Sequence, residues 1–469
     1  MEIMKKGDEV EILVEDMNDD GRGVGRTEDG MVIFTDKAIP GDKVRVRIRK
    51  KRSKYAEAQF LELLSPSTYR IDPRCEYFGI CGGCKMQNLE YERQLSFKKN
   101  VVENALKRIG GFDNVEIPDI MGSDDIFFYR NKMEFSFSDD KWMTVPTEDR
   151  EKFALGLHVP RFHSKIIDIH ECFLQSEISN RILNFTRDFF KTRNASIYST
   201  ETHEGYLRFL IIRESKNTPD FMVNLVTYDY DEKLINEYAQ GLKMIAPEVT
   251  TLINGLSNKR AQVAFAENEK VIFGEGIINE KLVRGDGREF AFKISPNSFF
   301  QTNTIQAQKL YDVALEFGEF NSNDKVLDLY CGAGSIAIFI SDRVSKVLGV
   351  ELIEDSIANA HENKELNGIT NAEFLVSDIK DFLTGSNVIE YNKIILDPPR
   401  SGLHPKICEI LSETKLDKII YVSCNPSTQA RDLKLICEKG NYEIEKIQPV
   451  DMFPHTYHVE NVVSLRKKN

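Results

Sequence analysis

Five short apolar runs near the C-terminal end constrain this chain most: residues 325–329, 346–350, 373–376, 393–396 and 418–422. Each has strand length, and helical segments separate the first three. Short apolar strands alternating with helices imply a mainly parallel, doubly wound sheet, so the fold class is α/β. Sheets of this kind bind ligands beyond the carboxyl ends of their strands. Chemistry is therefore expected just after each run.

The first run leads into Asp328-Leu329-Tyr330-Cys331-Gly332-Ala333-Gly334-Ser335. Gly332 and Gly334 let backbone approach a ligand closely, but the third glycine of a dinucleotide fingerprint is missing. Glu351 closes the second run, where a carboxylate can accept hydrogen bonds from both hydroxyls of a ribose. Asp378 follows the third, where it can accept from an adenine amino group. Three consecutive strand ends with suitable groups resemble class I S-adenosylmethionine-dependent methyltransferases, which have a Rossmann-like sheet. A nicotinamide enzyme is the structural competitor.

The fourth run enters Asp397-Pro398-Pro399-Arg400-Ser401-Gly402, in which two prolines stiffen the backbone beside an acid. The fifth enters Ser423-Cys424-Asn425-Pro426. A lone cysteine is usually a buried apolar residue, but this one stands at a strand end facing the ligand side. Farther on, His455, His458 and Glu460 fall within six residues. Their spacing is not that of a zinc-binding helix, and Pro454 opposes a continuous helix, so no metal is expected there.

Upstream, residues 1–64 alternate apolar and polar residues between turn signals, as in a small antiparallel barrel. Lys43 to Lys54 holds eight basic side chains in twelve residues. That stripe reads equally as a solvated strand face or as a surface for RNA phosphates. The net charge of −12 weighs mildly against nucleic acid, although the distribution of charge matters more than its sum. Tyr91 to Ile109 reads as a helix ended by Gly110-Gly111, and residues 112–285 mix strands with helices. Cys75, Cys81 and Cys84, with Cys172 downstream, can converge on one centre; spacing alone admits zinc or an iron–sulfur cluster. No run suits a membrane span and the N-terminus lacks an apolar leader, so a cytoplasmic protein is expected. In that compartment cysteines are seldom disulfides.

Phe300-Gln301-Thr302-Asn303, the Asp328–Gly334 turn, Asp397-Pro398-Pro399-Arg400, Ser423-Cys424-Asn425-Pro426 and Pro454-His455-Thr456-Tyr457-His458-Val459-Glu460 together resemble RNA uracil-C5 methyltransferases over almost the whole chain. The resemblance implies transfer of a methyl group from S-adenosylmethionine to C5 of a uridine. It implies Cys424 as nucleophile, Glu460 as base, Asp397 at the uracil, and Gln301, Tyr330, Glu351 and Asp378 against the cofactor. It further implies a TRAM barrel of oligonucleotide-binding (OB) type over 1–64. A central α/β iron–sulfur domain over 65–285 would hold a [4Fe-4S] cluster on Cys75, Cys81, Cys84 and Cys172, and the methyltransferase domain would span 286–469. The helix near 91–110 is expected to pack on the methyltransferase domain. Barrel plus cluster resembles the enzymes acting on 23S rRNA more than those acting on tRNA. A monomer is expected. Cytosine-C5 methylation, and a non-catalytic iron–sulfur RNA-binding protein, are the competing functions.

Overall fold

A computed structural model describes residues 4–143, 153–160, 162–385 and 387–468. Strands β1 (Glu9–Met17), β2 (Gly23–Arg26), β3 (Val32–Thr35), β4 (Lys43–Lys51) and β5 (Tyr55–Ser65) close into a barrel in the order β1-β2-β3-β5-β4. Their inward residues, among them Ile12, Val14, Ile33, Val44, Val46 and Ile48, form its core. The outward cations of β4 lie between acids of the flanking strands. Lys43 pairs with Glu11 (3.0 Å), Arg45 with Glu62 (2.7 Å) and Arg47 with Glu9 (2.6 Å). The first half of the stripe is thus a ladder of exposed ion pairs, each of small energetic value. Arg49, Lys51, Arg52 and Lys54 toward its end have no acidic partner among the described residues.

Helix α1 (Tyr91–Ala105) continues through a wider turn at Leu106–Gly110 and stops at Gly111, whose φ of +75° suits a residue without Cβ. Next come β6 (Lys132–Ser138), β7 (Ala154–Val159), β8 (Phe162–Asp168), α2 (Glu177–Thr192), β9 (Leu207–Glu214), β10 (Phe221–Thr227), α3 (Glu232–Ile245), β11 (Thr251–Leu256) and β12 (Asn268–Phe273). These strands form one sheet in the order β12-β11-β10-β9-β6-β7-β8, antiparallel except for β10 and β11. Helices α2 and α3 bury Leu183, Phe190 and Tyr238 against Phe135, Phe137 and Leu210 on one face.

A hairpin of β13 (Ile278–Val283) and β14 (Glu289–Ile294) precedes α4 (Thr304–Gly318). Its Leu282, Phe290 and Phe292 belong to the same apolar core as the C-terminal sheet. The 285/286 division expected from the sequence therefore falls in the turn of this hairpin.

The C-terminal unit runs β15 (Lys325–Leu329), α5 (Ser335–Ile340), β16 (Lys346–Glu351), α6 (Glu354–Leu366), β17 (Ala372–Val376), α7 (Ile379–Thr384), β18 (Lys393–Leu396), α8 (Pro405–Glu413), β19 (Lys418–Ser423), α9 (Pro426–Cys437), β20 (Tyr442–Val450) and β21 (Glu460–Lys467). The sheet order is β17-β16-β15-β18-β19-β21-β20, parallel except for β21. All five apolar runs are strands of this sheet, and the chain reverses direction across it between β15 and β18. That reversal opens a crevice at the strands' carboxyl ends. Helix α1 and its wide turn pack against α9, which ties the segment after the barrel to this unit. No helix among the described residues is long and apolar enough to cross a membrane.

Candidate active site

The antiparallel ladder of β19 and β21 ends with Ser423 opposite Asn461. Cys424 and Glu460 each lie one residue beyond that pair, close enough for the Glu460 charge to act on the thiol, so the register joins residues that are 36 positions apart. Two loops meet there. Asn425 caps α9 by accepting from the amides of Ser427 and Thr428 (3.1 and 3.4 Å). Its Nδ2 donates to the carbonyl of Arg400 at 3.0 Å, which stitches the Asp397–Arg400 loop to the cysteine loop. Arg400 Nη2 lies 3.3 Å from His458 Nε2.

Loss of water dominates the electrostatics. Burial, then the charge of Asp397, pushes the Glu460 carboxyl up to about 8, against the pull of Arg400. Asp397 stands partly open at its strand end, yet desolvation lifts it to about 7. Burial, Glu460 and Asp397 together raise the Cys424 thiol to about 11, again opposed by Arg400. Positive charge near such a thiol favours its thiolate form.

On the other side of the crevice the backbone bends through the left-handed region at Tyr330 (φ +66°), Gly332 (+53°) and Gly334 (+79°). A Cβ on Gly334 would meet the Phe374 ring at 2.7 Å. Glu351 accepts from the amides of Leu352 (2.7 Å), Ile353 (3.0 Å) and Gly332 (3.3 Å), binding the glycine turn to the second strand end. Asp378 caps α7 by accepting from Lys380 N and Asp381 N (2.9 and 3.1 Å). Gln301 arrives from the segment before α4, and its carbonyl accepts from Asn131 Nδ2 of the central unit (2.8 Å).

One residue here escaped sequence reasoning as a functional group. Asp328 is fully buried within β15 and is raised to about 8 by burial and by Asp397. Its Oδ2 accepts from Ala337 N at 3.0 Å, while Oδ1 has no partner among the described residues. An acid inside an otherwise apolar strand was the available signal. An orphaned carboxylate oxygen beside an open glycine turn suits a ligand that carries positive charge.

The loop before Glu460 is held from three sides. The Lys98–Asp451 pair is buried at 2.5 Å, and Tyr91 Oη donates to the same carboxylate at 2.9 Å. Asn303 Nδ2 and Gln306 Nε2 of the α4 start donate to the carbonyls of Met452 (2.9 Å) and Asp451 (2.8 Å). His455, at φ +66°, accepts through its carbonyl from Lys85 N and Met86 N (2.8 and 3.0 Å) and donates its amide to Gln94 Oε1 (2.9 Å). Burial holds His455 and His458 down to about 4, so both rings are neutral. Lys98→Met is expected to strand Asp451 and to destabilise the protein by about 3–5 kcal/mol, read from denaturant titrations. An unchanged midpoint would show that the pair does not anchor this loop.

Cys75, Cys81, Cys84 and Cys172 line one cavity of about 480 Å³ together with Arg130 and Lys132. Gly83 N donates to Cys81 Sγ (3.3 Å) and Gln87 Nε2 to Cys84 Sγ (3.1 Å). Burial, with smaller contributions from neighbouring thiols, raises Cys81 to about 12 and holds Cys84 high as well. The four thiols surround a space rather than a point. Among the described residues no three His, Cys, Asp or Glu side chains form a ready site for a metal ion. The metal centre expected from the sequence is therefore not preformed. All eight cysteines are free thiols, and Cys331, Cys408 and Cys437 lie away from this cavity.

Residues 222–468 match the family described as tRNA (Uracil-5-)-methyltransferase, and residues 4–61 match the TRAM domain. An uncharacterized RNA methyltransferase of Chlorobaculum tepidum is 39% identical over 475 aligned residues, covering 99% of this chain and 97% of its own. Another, from Bacteroides thetaiotaomicron, is 39% identical over 95% of this chain and 99% of its own. Among solved structures, Pyrococcus abyssi tRNA (uracil-54, C5)-methyltransferase in complex with S-adenosyl-L-homocysteine superposes with a TM-score of 0.75. It is 30% identical, and the match covers 97% of this chain and 100% of that one.

Proposed function

Since the chain belongs to the tRNA (uracil-5-)-methyltransferase family of S-adenosylmethionine-dependent RNA methyltransferases, we propose that it methylates a uridine of RNA through a covalent bond from Cys424 to C6 of the base. The observation that carries this reading is the placement of Cys424 opposite Glu460 and near Asp397, across the crevice from the glycine turn. Uracil C5 is a weak nucleophile. Addition of the Cys424 thiolate to C6 moves the ring's double-bond electrons toward O4 and makes C5 electron-rich. When bound, S-adenosylmethionine supplies an electrophilic methyl group on a sulfonium. Once C5 has taken that methyl group and the sulfonium has become a neutral thioether, Glu460 takes the C5 proton, the C5–C6 double bond re-forms, and Cys424 leaves. Asp397 hydrogen-bonds the base edge. Asp328, Glu351 and Asp378 orient the cofactor, with Gln301, Tyr330, Gly332 and Gly334 around it. The uridine must leave its stack to reach this depth.

Incubation with RNA and methyl-labelled cofactor, followed by digestion to nucleosides, tests the reading. Label is expected in 5-methyluridine. Label in 5-methylcytidine, or none in rRNA and tRNA from cells lacking the modification, would overturn it.

The proposed target is 23S rRNA, on the resemblance of the barrel-plus-cysteine layout to the rRNA enzymes. A second reading, tRNA, is favoured by the full-length match to the Pyrococcus abyssi tRNA enzyme. Modification maps of both RNAs with and without the protein decide between them. The reading assigns RNA binding to 1–64, the cysteine site to 65–285 and methyl transfer to 286–469, in a cytoplasmic monomer. Removing residues 1–64 is expected to weaken RNA binding about tenfold while leaving cofactor binding close to unchanged. Equal loss of both in titrations would count against a barrel that binds RNA.

We also assign a [4Fe-4S] cluster to the four-thiol cavity. The cavity's volume, its two N–H···S bonds and the Arg130 guanidinium suit an anionic cluster held by four thiolates. Protein purified without oxygen is expected to carry about four irons and four sulfides per chain. Stoichiometric zinc instead would reject the assignment.

A further inference from the structure

The eleven residues between β11 and β12 (257–267) form an irregular loop whose underside is firmly held. Arg208 of β9, 2% exposed, donates to the carbonyls of Ser257 (2.8 Å), Lys259 (2.7 Å) and Ala261 (2.8 Å). Its guanidinium also lies over the Tyr198 ring at 4.2 Å. Ala264 packs on Phe209, Ile211 and Val226, on the sheet face that α2 and α3 leave open.

The upper side of the loop has the opposite character. Val263 and Phe265 are 45% and 40% exposed, and Arg260 and Gln262 are exposed beside them. The local acids are engaged by the loop and its neighbours. Glu267 pairs with Lys259 at 3.2 Å and accepts from Asn258 N, and Glu269 accepts from Asn297 Nδ2 at 2.8 Å. Arg260 has no acidic partner among the described residues. Lys259 Nζ stands 5.0 Å from the centre of the Phe265 ring.

The loop is continuous with the approach to the reacting centre. Asn297 also donates to the carbonyl of Ala266 (3.1 Å), and Arg213 Nη2 donates to that of Pro296 (3.3 Å). The segment so braced carries Phe299, 67% exposed, two residues before Gln301.

We propose that the 257–267 loop is a second RNA contact, which takes the unpaired nucleotides flanking the target uridine. The inference rests on the RNA reading above and goes beyond it in naming the surface. Extruding one base leaves its neighbours without a stacking partner. The exposed Phe265 ring offers a replacement platform that tolerates any base, and Arg260 on the same loop offers a phosphate contact. Rigid anchorage from below means that little ordering is lost on binding.

The test uses the full chain with Arg260→Ala, Val263→Ser and Phe265→Ser combined, titrated at several salt concentrations. The probes are a short oligouridine and the RNA that the wild type methylates. Both affinities are expected to fall about tenfold or more, with a salt slope smaller by about one. Cofactor affinity and thermal midpoint are expected to stay unchanged. Ultraviolet crosslinking of the wild type is expected to attach oligouridine within residues 257–267, a readout independent of how the variant folds. RNA affinity within twofold of wild type, or crosslinks confined to other segments, would overturn the contact and assign the patch to a protein partner. If the wild type binds RNA but methylates no uridine, the proposed function falls while this contact is still judged by affinity.

Discussion

Cys424→Ala should abolish methyl transfer, with a loss of about 10⁴-fold or more, while leaving cofactor binding intact. The side chain is small and only half-buried, and its loop is held by Asn425 and Arg400 rather than by the thiol. The fold should therefore survive. Denaturing gels should show no RNA–protein adduct for this variant under any condition. Residual transfer at a tenth of wild-type rate, or a persisting adduct, would move the nucleophile elsewhere. The raised thiol adds a second expectation. With the thiol near 11, alkylation of Cys424 should be slow without ligand and should accelerate when the sulfonium cofactor is added.

Glu460→Gln should stop the reaction one step later. Methyl transfer to C5 can proceed, but the C5 proton then has no acceptor and Cys424 cannot leave. Turnover should fall about 10²–10⁴-fold, with a stable, methylated RNA adduct on denaturing gels. The double variant with Cys424→Ala should show none. An adduct-free Glu460→Gln enzyme with normal turnover would place the base elsewhere.

The same residue carries a pH signature. Its carboxyl ionises near 8 in the folded protein, above its ordinary value of 4.5. The folded state therefore holds the proton more tightly than the unfolded chain, and stability is lost as pH rises through that interval. Glutamine cannot ionise, so Glu460→Gln should resist denaturant better than wild type above about pH 8, by about 1–3 kcal/mol. Wild-type kcat/KM should rise with pH as the base ionises. A profile falling over the same range would contradict the assignment.

Much of the C-terminal sheet was legible because strands buried on both faces must be apolar throughout, and such runs stand out between helices. The strand-end groups Glu351, Asp378, Asp397 and Cys424 follow from that reading by position, whereas Tyr330 entered only through the family resemblance. Asp328 was harder to see because it sits within a run rather than after one. The ion pairing of the basic stripe of β4 was hidden for a related reason. Its cations are contiguous in sequence, but the acids that pair with Lys43, Arg45, Arg47 and Lys50 come from β1 and β5 across the barrel.

Cys424 therefore has two sources. The sequence by itself determined that a cysteine stands at the end of a buried parallel strand, since local hydrophobicity and turn residues decide strand ends. Only the tertiary structure decided what that cysteine meets. The register of β19 against β21 brings Glu460 opposite it. Asn425 and Arg400 join its loop to Asp397, and Lys98, Gln94 and the backbone after Cys84 hold the loop that leads to Glu460. These contacts span tens to hundreds of residues, and no pattern read along the chain contains them. They exist because burying the sheet, α1 and the barrel against one another leaves those polar groups no partners but each other.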